Sequence, residues 1–233
     1  MRRQRPPFPV IASSPHPPIA TPASGALPWV TTALVLANLL GFLVELRLGA
    51  ELGAFIQRWG VVPVDVVESL RQRDPVVLVT LLTATFLHAG WLHLLFNLLY
   101  LAVFGGAVEN RLGHGRYLAL YLASGVVGGL TYSLEQPTIS TPAIGASGAT
   151  AGVIAAHLAL FPGATLGSLA PVLFLHVVEN VPALLLLVLW LFTQLFSGVA
   201  SITASGAVAW WAHLGGFATG LVLAPTLRPE RRR

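Results

Sequence analysis

Ile144–Gly152 reads IGASGATAG and decides the fold, because it places one serine among small residues at the start of a long apolar run. An ordinary soluble core needs no segment this small and this flexible. In a membrane helix, small residues let the backbone of a neighbouring helix come very close. The stretch therefore predicts a closely packed membrane helix, and it makes Ser147, near the first turn, a candidate nucleophile.

The composition of the 233-residue chain also indicates a membrane protein. Hydrophobic residues make up 55% and charged residues 9%, whereas about 25% of the residues in an average soluble domain are charged. The sequence contains no cysteine, which excludes a disulfide framework and a thiol nucleophile. The 13 basic residues are all arginine, and the net charge of +4 is concentrated in the arginine clusters at the two ends. In a membrane protein such clusters indicate orientation before they suggest a nucleic-acid partner.

Six segments are long and apolar enough to be candidate membrane spans, each of which needs roughly 20 residues. They cover about 28–46, 91–108, 117–134, 146–161, 181–199 and 207–225. The sequence thus predicts an all-α membrane protein, a bundle of six transmembrane helices. Its predicted parts are a disordered Pro/Arg-rich tail over 1–27, the six-helix domain over 28–226 and a basic tail over 227–233.

The arginines predict how the spans are oriented. With six spans both arginine-rich ends lie on one side, which the positive-inside rule assigns to the cytoplasm. The connection Glu109–Arg116 carries two further arginines and agrees. We therefore expect a multi-pass integral membrane protein with both termini in the cytoplasm, and a transit peptide is a minor alternative for the acid-free N-terminal tail. In the long first connection, 47–90, Leu52–Trp59 is a predicted amphipathic helix at the outer interface.

Polar side chains inside membrane spans are functional candidates, and three groups of them share one depth. His93 and Asn97 begin the second span, Ser147 begins the fourth and His213 begins the sixth. Because the even-numbered spans all run from outside to inside, we expect these residues just below the outer surface. His88 precedes the second span and could support the site at its mouth.

Helical periodicity predicts that the fourth and sixth spans pack closely. Glycines lie on or beside the helical stripe that carries Ser147 and on the stripe that carries His213. Two such smooth faces would bring His213 within hydrogen-bonding distance of Ser147. The glycines assigned to this packing are Gly145, Gly148, Gly152, Gly216 and Gly220.

The spacing predicts a Ser–His dyad, with Ser147 as nucleophile and His213 as base. No carboxylate falls where a third member of a triad would lie, since Glu45, Glu109, Glu135 and Glu179 are near span ends or in connections. His93 and Asn97 can both donate hydrogen bonds, and with the Ser147 N–H they would form an oxyanion hole.

Two other polar features carry weaker predictions. The sequence has no His-Glu-x-x-His pattern, so a zinc protease is not indicated and no metal is expected. Glu109 lies near the inner end of the second span, where we expect a structural ion that pairs with Arg116.

These motifs resemble those of the rhomboid intramembrane serine proteases of the bacterial six-span type. The resemblance covers about residues 28–226 and is carried by His93–Asn97 (HLLFN), Gly145–Gly148 (GASG) and Ala212–Gly220 (AHLGGFATG). It implies the same dyad and oxyanion donors, no cofactor, a bacterial inner membrane, and single-span membrane proteins as substrates. Some members carry an aromatic residue one turn after the nucleophile, where this chain has Ala151.

Two other functional classes stay open. One is a non-catalytic membrane-protein binder on the same fold, which a serine-reactive fluorophosphonate would not label. The other is a channel or transporter. It is disfavoured because the inner halves of the spans carry few polar groups beyond His157 and Gln194. The expected surroundings are the lipid bilayer, and a homodimer is an open alternative.

Overall fold

The computed structural model describes residues 27–73, 75, 77–162, 165–166, 181–182, 185, 188–190 and 210–229. This part of the chain is mostly helical. The helices are α1 Trp29–Glu45, α2 Leu52–Trp59, α3 Pro63–Gln72, α4 Thr80–Thr83, α5 Trp91–Leu112, α6 His114–Glu135, α7 Ser147–Leu160 and α8 Trp210–Thr226. Short 3-10 turns cover Gly49–Glu51, Val77–Val79 and Ala84–Phe86.

One small antiparallel pair of strands departs from the predicted all-α fold. Strand β1, Thr165–Leu166, pairs with strand β2, Val181–Pro182. The predicted fifth span, 181–199, therefore does not begin as a helix at residue 181, and most of it lies outside the described residues. The predicted N-terminal tail also lies outside them apart from Leu27, and of the predicted C-terminal tail only 227–229 are described.

Fewer than six helices in the described part of the chain are long and apolar enough to cross a membrane. Helices α5 and α6 have 22 residues each, or about 33 Å at 1.5 Å per residue, against a hydrocarbon core of about 30 Å. Helix α1 joins them only if it is combined with Gly49–Trp59, which bends away by 111°. Helix α7, with 14 residues, is a shorter apolar helix. Length and composition thus give two spans, or three with the bent pair, and the count of six is not confirmed.

A single residue separates α5 from α6. Gly113 has a φ of +86°, a left-handed conformation that costs glycine little because it has no Cβ. The chain therefore reverses direction at once, and two long helices become neighbours.

The C-terminal end of α5 holds the start of α1. The buried Glu109 carboxylate accepts hydrogen bonds from the N–H groups of Val30 (2.9 Å) and Thr31 (2.8 Å) and from Thr31 Oγ1 (2.7 Å). It also lies 2.5 Å from His114 Nδ1. Because the first N–H groups of a helix have no partner inside the helix, a carboxylate stabilises them. The predicted pairing of Glu109 with Arg116 is thus replaced by a cap on α1.

Helix α7 is the centre of the described bundle and contacts α5, α6 and α8. Every residue from Gly148 to Ala156 is buried, as is His157. Large side chains of the neighbouring helices pack around it, among them Leu101, Phe104, Val108, Tyr117, Leu120 and Tyr121. Helix α7 is therefore surrounded by protein, and a polar residue at its start is shielded from lipid.

Candidate active site

The two predicted catalytic side chains meet where α7 and α8 begin. Ser147 is the first residue of α7, and His213 lies in the first turn of α8. Ser147 Oγ is 2.7 Å from His213 Nε2. At this distance the serine hydroxyl can donate to an unprotonated Nε2, and the hydrogen of the neutral imidazole then lies on Nδ1.

Glycines let α7 and α8 come close enough for this contact. A Cβ at Gly216 would collide with the backbone carbonyl of Gly148, and a Cβ at Gly220 would collide with that of Gly152. The two helices therefore touch backbone to backbone, about one turn and two turns after His213 along α8. This glycine seam, formed by Gly148 and Gly152 on α7 and Gly216 and Gly220 on α8, fixes the position of His213 along the helix axis relative to Ser147.

Gly145 has a different role from the helix-packing role predicted for it. It lies in the loop before α7, and its φ is +129°. A Cβ there would lie 2.6 Å from Cε1 and 2.7 Å from Nε2 of His93. The residue thus lets the His93 ring approach the backbone just before Ser147, and the expectation of helix packing is corrected for Gly145.

The loop before α7 is fixed by backbone hydrogen bonds to the long first connection. Val61 and Ala143 exchange two hydrogen bonds, of 2.9 and 2.8 Å, and the Gly145 N–H donates to Ala84 O at 2.9 Å. Irregular backbone at membrane depth is tolerated where other parts of the protein satisfy its polar groups. The first connection therefore helps to hold the chain around Ser147.

His93 and Asn97 lie on one face of α5, as their spacing predicts. The Asn97 side chain is buried and donates from Nδ2 to the His93 carbonyl at 2.9 Å. The Ala89 N–H donates to His93 Nδ1 at 3.4 Å. With Nδ1 as acceptor, the hydrogen of the neutral ring lies on Nε2, the nitrogen that faces Gly145. His93 can thus donate a hydrogen bond beside the nucleophile.

The His213 ring contacts Trp190. The two ring centroids are 5.7 Å apart and the planes meet at 62°. Among the residues that the structure describes, none hydrogen-bonds to the buried His213 Nδ1, so no described carboxylate orients the ring. Ala151, at the position where some rhomboid proteases carry an aromatic residue, is fully buried. Trp190 instead supplies an aromatic contact from outside α7.

A small cavity opens beside the serine, on the side of the first connection and α6. Its volume is about 40 Å³, and its lining includes Thr85, Gly129, Tyr132, Gly145 and Ser147. A cavity needs about 10–15 Å³ of such space to hold one water molecule, so this one is large enough for water. A supply of water can therefore lie next to the candidate nucleophile.

Two further histidines are buried outside this pair. Burial lowers the pKa of His88 to about 4, with a smaller contribution from the neighbouring His93. His157 lies deeper in α7, where its ring packs against Phe104 and Phe161, each with a centroid distance of 5.0 Å. Among the described residues, no group of three His, Cys, Asp or Glu side chains is placed to hold a metal ion.

One contact at the site was missed by the sequence reasoning. The buried Glu45 carboxylate accepts a hydrogen bond from the His88 N–H, at 3.0 and 3.1 Å from its two oxygens. The sequence does hint at such a contact, because Glu45 is the last residue of an apolar helix. The helix dipole disfavours a negative charge there, so the carboxylate needs a partner.

Comparison with known proteins identifies the family. Residues 76–230 match the Rhomboid domain model. The rhomboid protease GluP of Bacillus subtilis is 45% identical over 78 residues, which are 34% of this chain and 15% of GluP. RHOMBOID-like protein 4 of Arabidopsis thaliana is 35% identical over 144 residues, 61% of this chain and 32% of that protein. RHOMBOID-like protein 12, mitochondrial, of the same plant is 28% identical over 173 residues, 66% and 48% of the two chains.

The chain belongs to the rhomboid family. Members of this family are integral membrane proteins, and they are generally serine intramembrane proteases. The matched stretches span less than half the length of these three curated relatives.

Proposed function

We propose that this protein is an intramembrane serine endopeptidase that cleaves the transmembrane segments of other membrane proteins. The observation that carries the proposal is the 2.7 Å contact between Ser147 Oγ and His213 Nε2. Membership of a family of serine proteases supports the same reaction class.

In the first chemical step, Ser147 Oγ attacks the carbonyl carbon of the substrate peptide. His213 Nε2 takes the hydroxyl proton and passes it to the leaving amine, and an acyl-enzyme forms. Water then attacks the ester with His213 again as base, His213 passes that proton to the departing Ser147 Oγ, and the new carboxyl end is released. The cavity beside Ser147 offers a place for that water.

The carbonyl oxygen gains negative charge in this step and needs donors. His93 Nε2 faces Gly145, and Asn97 lies one turn further along the same face of α5. The Ser147 N–H belongs to the first turn of α7, where N–H groups have no carbonyl partner within the helix. These three groups form the proposed oxyanion hole, and loss of one such donor typically costs about 10²–10³ in rate.

A dyad without a carboxylate predicts a slow enzyme. No described residue hydrogen-bonds to His213 Nδ1, so no described carboxylate stabilises the imidazolium that forms during attack. In a chymotrypsin-like protease, replacement of the triad Asp by Asn costs about 10⁴ in kcat, because the carboxylate no longer fixes the tautomer of the imidazole. We expect turnover well below that of soluble serine proteases.

The proposed topology has six spans with both termini in the cytoplasm of a bacterial cell. Ser147 then lies near the outer surface, so substrates would be single-span proteins cut near the outer end of their helix. The arginine-rich ends support this orientation. A homodimer stays an open alternative.

The test is cleavage of a single-span substrate by the purified protein in detergent. We expect product with wild type and with the control Ser133→Ala, because Ser133 Oγ donates to Gly129 O within α6. Ser147→Ala and His213→Ala should each reduce the rate by more than about 10³-fold. Cleavage by Ser147→Ala at the wild-type rate would rule out the proposal.

A further inference from the structure

The outer end of α1 contacts the segment that leads into α5 at three successive points. A Cβ at Gly41 would lie 2.5 Å from Phe86 O, so the two backbones touch there. Phe42 meets Trp91 edge-on, with ring centroids 4.9 Å apart. One turn later, the Glu45 carboxylate accepts the His88 N–H. One face of α1 thus supports the whole of residues 86–91.

The Glu45 contact is the polar one of the three. The free-energy cost of burying its carboxylate suggests that the residue has a specific role. The side chain is 2% exposed, and burial of a carboxylate is expensive unless it is hydrogen-bonded. Its place at the C-terminus of α1 adds an unfavourable interaction with the helix dipole. A residue that is unfavourable both for its burial and for its place in the helix dipole needs a compensating role. The described contact of Glu45 is with the His88 backbone.

The residues held by this contact touch His93 on two sides. The His88 ring meets the His93 ring edge-on, with centroids 5.2 Å apart. The next N–H along the chain, that of Ala89, donates to His93 Nδ1. This segment therefore sets both the position of the His93 ring and the nitrogen that carries its hydrogen.

We propose that Glu45 is a positioning residue for the oxyanion donor His93, and that it acts through the backbone of His88 and Ala89. When the carboxylate holds the His88 N–H, the Ala89 N–H stays aimed at His93 Nδ1, and Nε2–H faces Gly145. Without the carboxylate, the segment with His88 and Ala89 shifts, and the hydrogen of the His93 ring is free to move from Nε2 to Nδ1. The oxyanion then loses a donor. This role rests on the proposed proteolytic function.

The experiment compares Glu45→Gln and Glu45→Ala with Glu135→Gln. Glu135 is a matched control, because it is also the last residue of a long helix but is exposed. We expect Glu45→Ala to lower kcat by about 10- to 100-fold, less than the 10²–10³ typical of losing an oxyanion donor outright. Glu45→Gln should fall between Glu45→Ala and wild type. KM should stay within about 2-fold, since the substrate-binding surface is unchanged.

Combination with His93→Ala tests whether the effect passes through that ring. In a protein that already carries His93→Ala, the further change Glu45→Ala should lower kcat by less than about 2-fold, because the effects of interacting residues are not additive. If Glu45→Ala costs the same factor in both backgrounds, or leaves kcat at the wild-type value, the proposal is overturned.

Amide hydrogen exchange provides a readout independent of cleavage. In Glu45→Gln the amides of His88 and Ala89 should exchange at least about 10-fold faster than in Glu135→Gln, since the opening free energy of this segment falls. Equal exchange in the two variants would refute the contact, even if Glu45→Ala does not fold. An inactive wild type with fast exchange in Glu45→Gln would instead remove the proteolytic function and leave the positioning contact standing.

Discussion

Trp190 meets the His213 ring edge-on, with centroids 5.7 Å apart and an interplanar angle of 62°. The His213 ring also hydrogen-bonds to Ser147, and within the described part of the chain its Nδ1 has no hydrogen-bond partner. We therefore expect the indole to restrain the orientation of the imidazole.

Trp190→Ala should lower kcat, because the imidazole would gain orientations that do not reach the serine. An aromatic pair is worth about 0.5–1.5 kcal/mol, which corresponds to a loss of roughly 2- to 10-fold. Trp190→Phe should recover part of the loss, since it keeps a ring edge. Steady-state cleavage kinetics measure this, and an unchanged kcat in Trp190→Ala would contradict a positioning role.

Because glycines let α7 and α8 touch, adding even one methyl group at this contact should lower the stability of the protein. In Gly216→Ala the new methyl group meets the Gly148 carbonyl, and overpacking of this kind typically costs about 1–3 kcal/mol. Gly106→Ala is the control in α5, because its methyl group would lie 3.5 Å from Pro28, an ordinary contact. Thermal unfolding in detergent should give a lower midpoint for Gly216→Ala alone. Equal midpoints for the two variants would show that the helices do not pack as described.

The low pKa of His88 predicts that acid destabilises the protein. The pKa is about 4 in the folded chain against an ordinary value of 6.5. As the pH falls from 6.5 to 4, the unfolded chain takes up a proton that the folded chain does not, so stability is lost. Through His88 alone, the free energy of unfolding should be about 2–3 kcal/mol lower at pH 4.5 than at neutral pH.

Paired unfolding curves at pH 7 and pH 4.5 isolate this contribution. The wild type should lose more stability between the two pH values than His88→Phe, which keeps a ring but cannot be protonated. If both proteins lose the same amount, His88 is not the group responsible.

Helical periodicity predicted the parts of the site that depend on regular helices. The stripes through Ser147 and His213 predicted that these side chains would meet, and the structure places them 2.7 Å apart. The starts of α5, α7 and α8 lie within three residues of the predicted spans, at Trp91, Ser147 and Trp210.

Contacts made by irregular backbone could not be predicted in this way. The sequence predicts helix packing for Gly145, but its positive φ and its contact with His93 come from a loop whose course no periodicity encodes. Glu109 caps α1, although the charge pattern alone favoured Arg116 as its partner. The Trp190 contact could not be predicted either, because the uniformly apolar sequence around Trp190 does not show which side of a helix would face His213.

The central claim, that Ser147 is a nucleophile activated by His213, is tested most directly by a fluorophosphonate probe. Attack by Ser147 Oγ forms a P–O bond and expels fluoride, and mass spectrometry of the digested protein locates the adduct. The account predicts an adduct on Ser147 in the wild type and in Ser133→Ala, and loss of that adduct in His213→Ala. An unmodified Ser147 in the wild type, or equal labelling of Ser147 in His213→Ala, would contradict it.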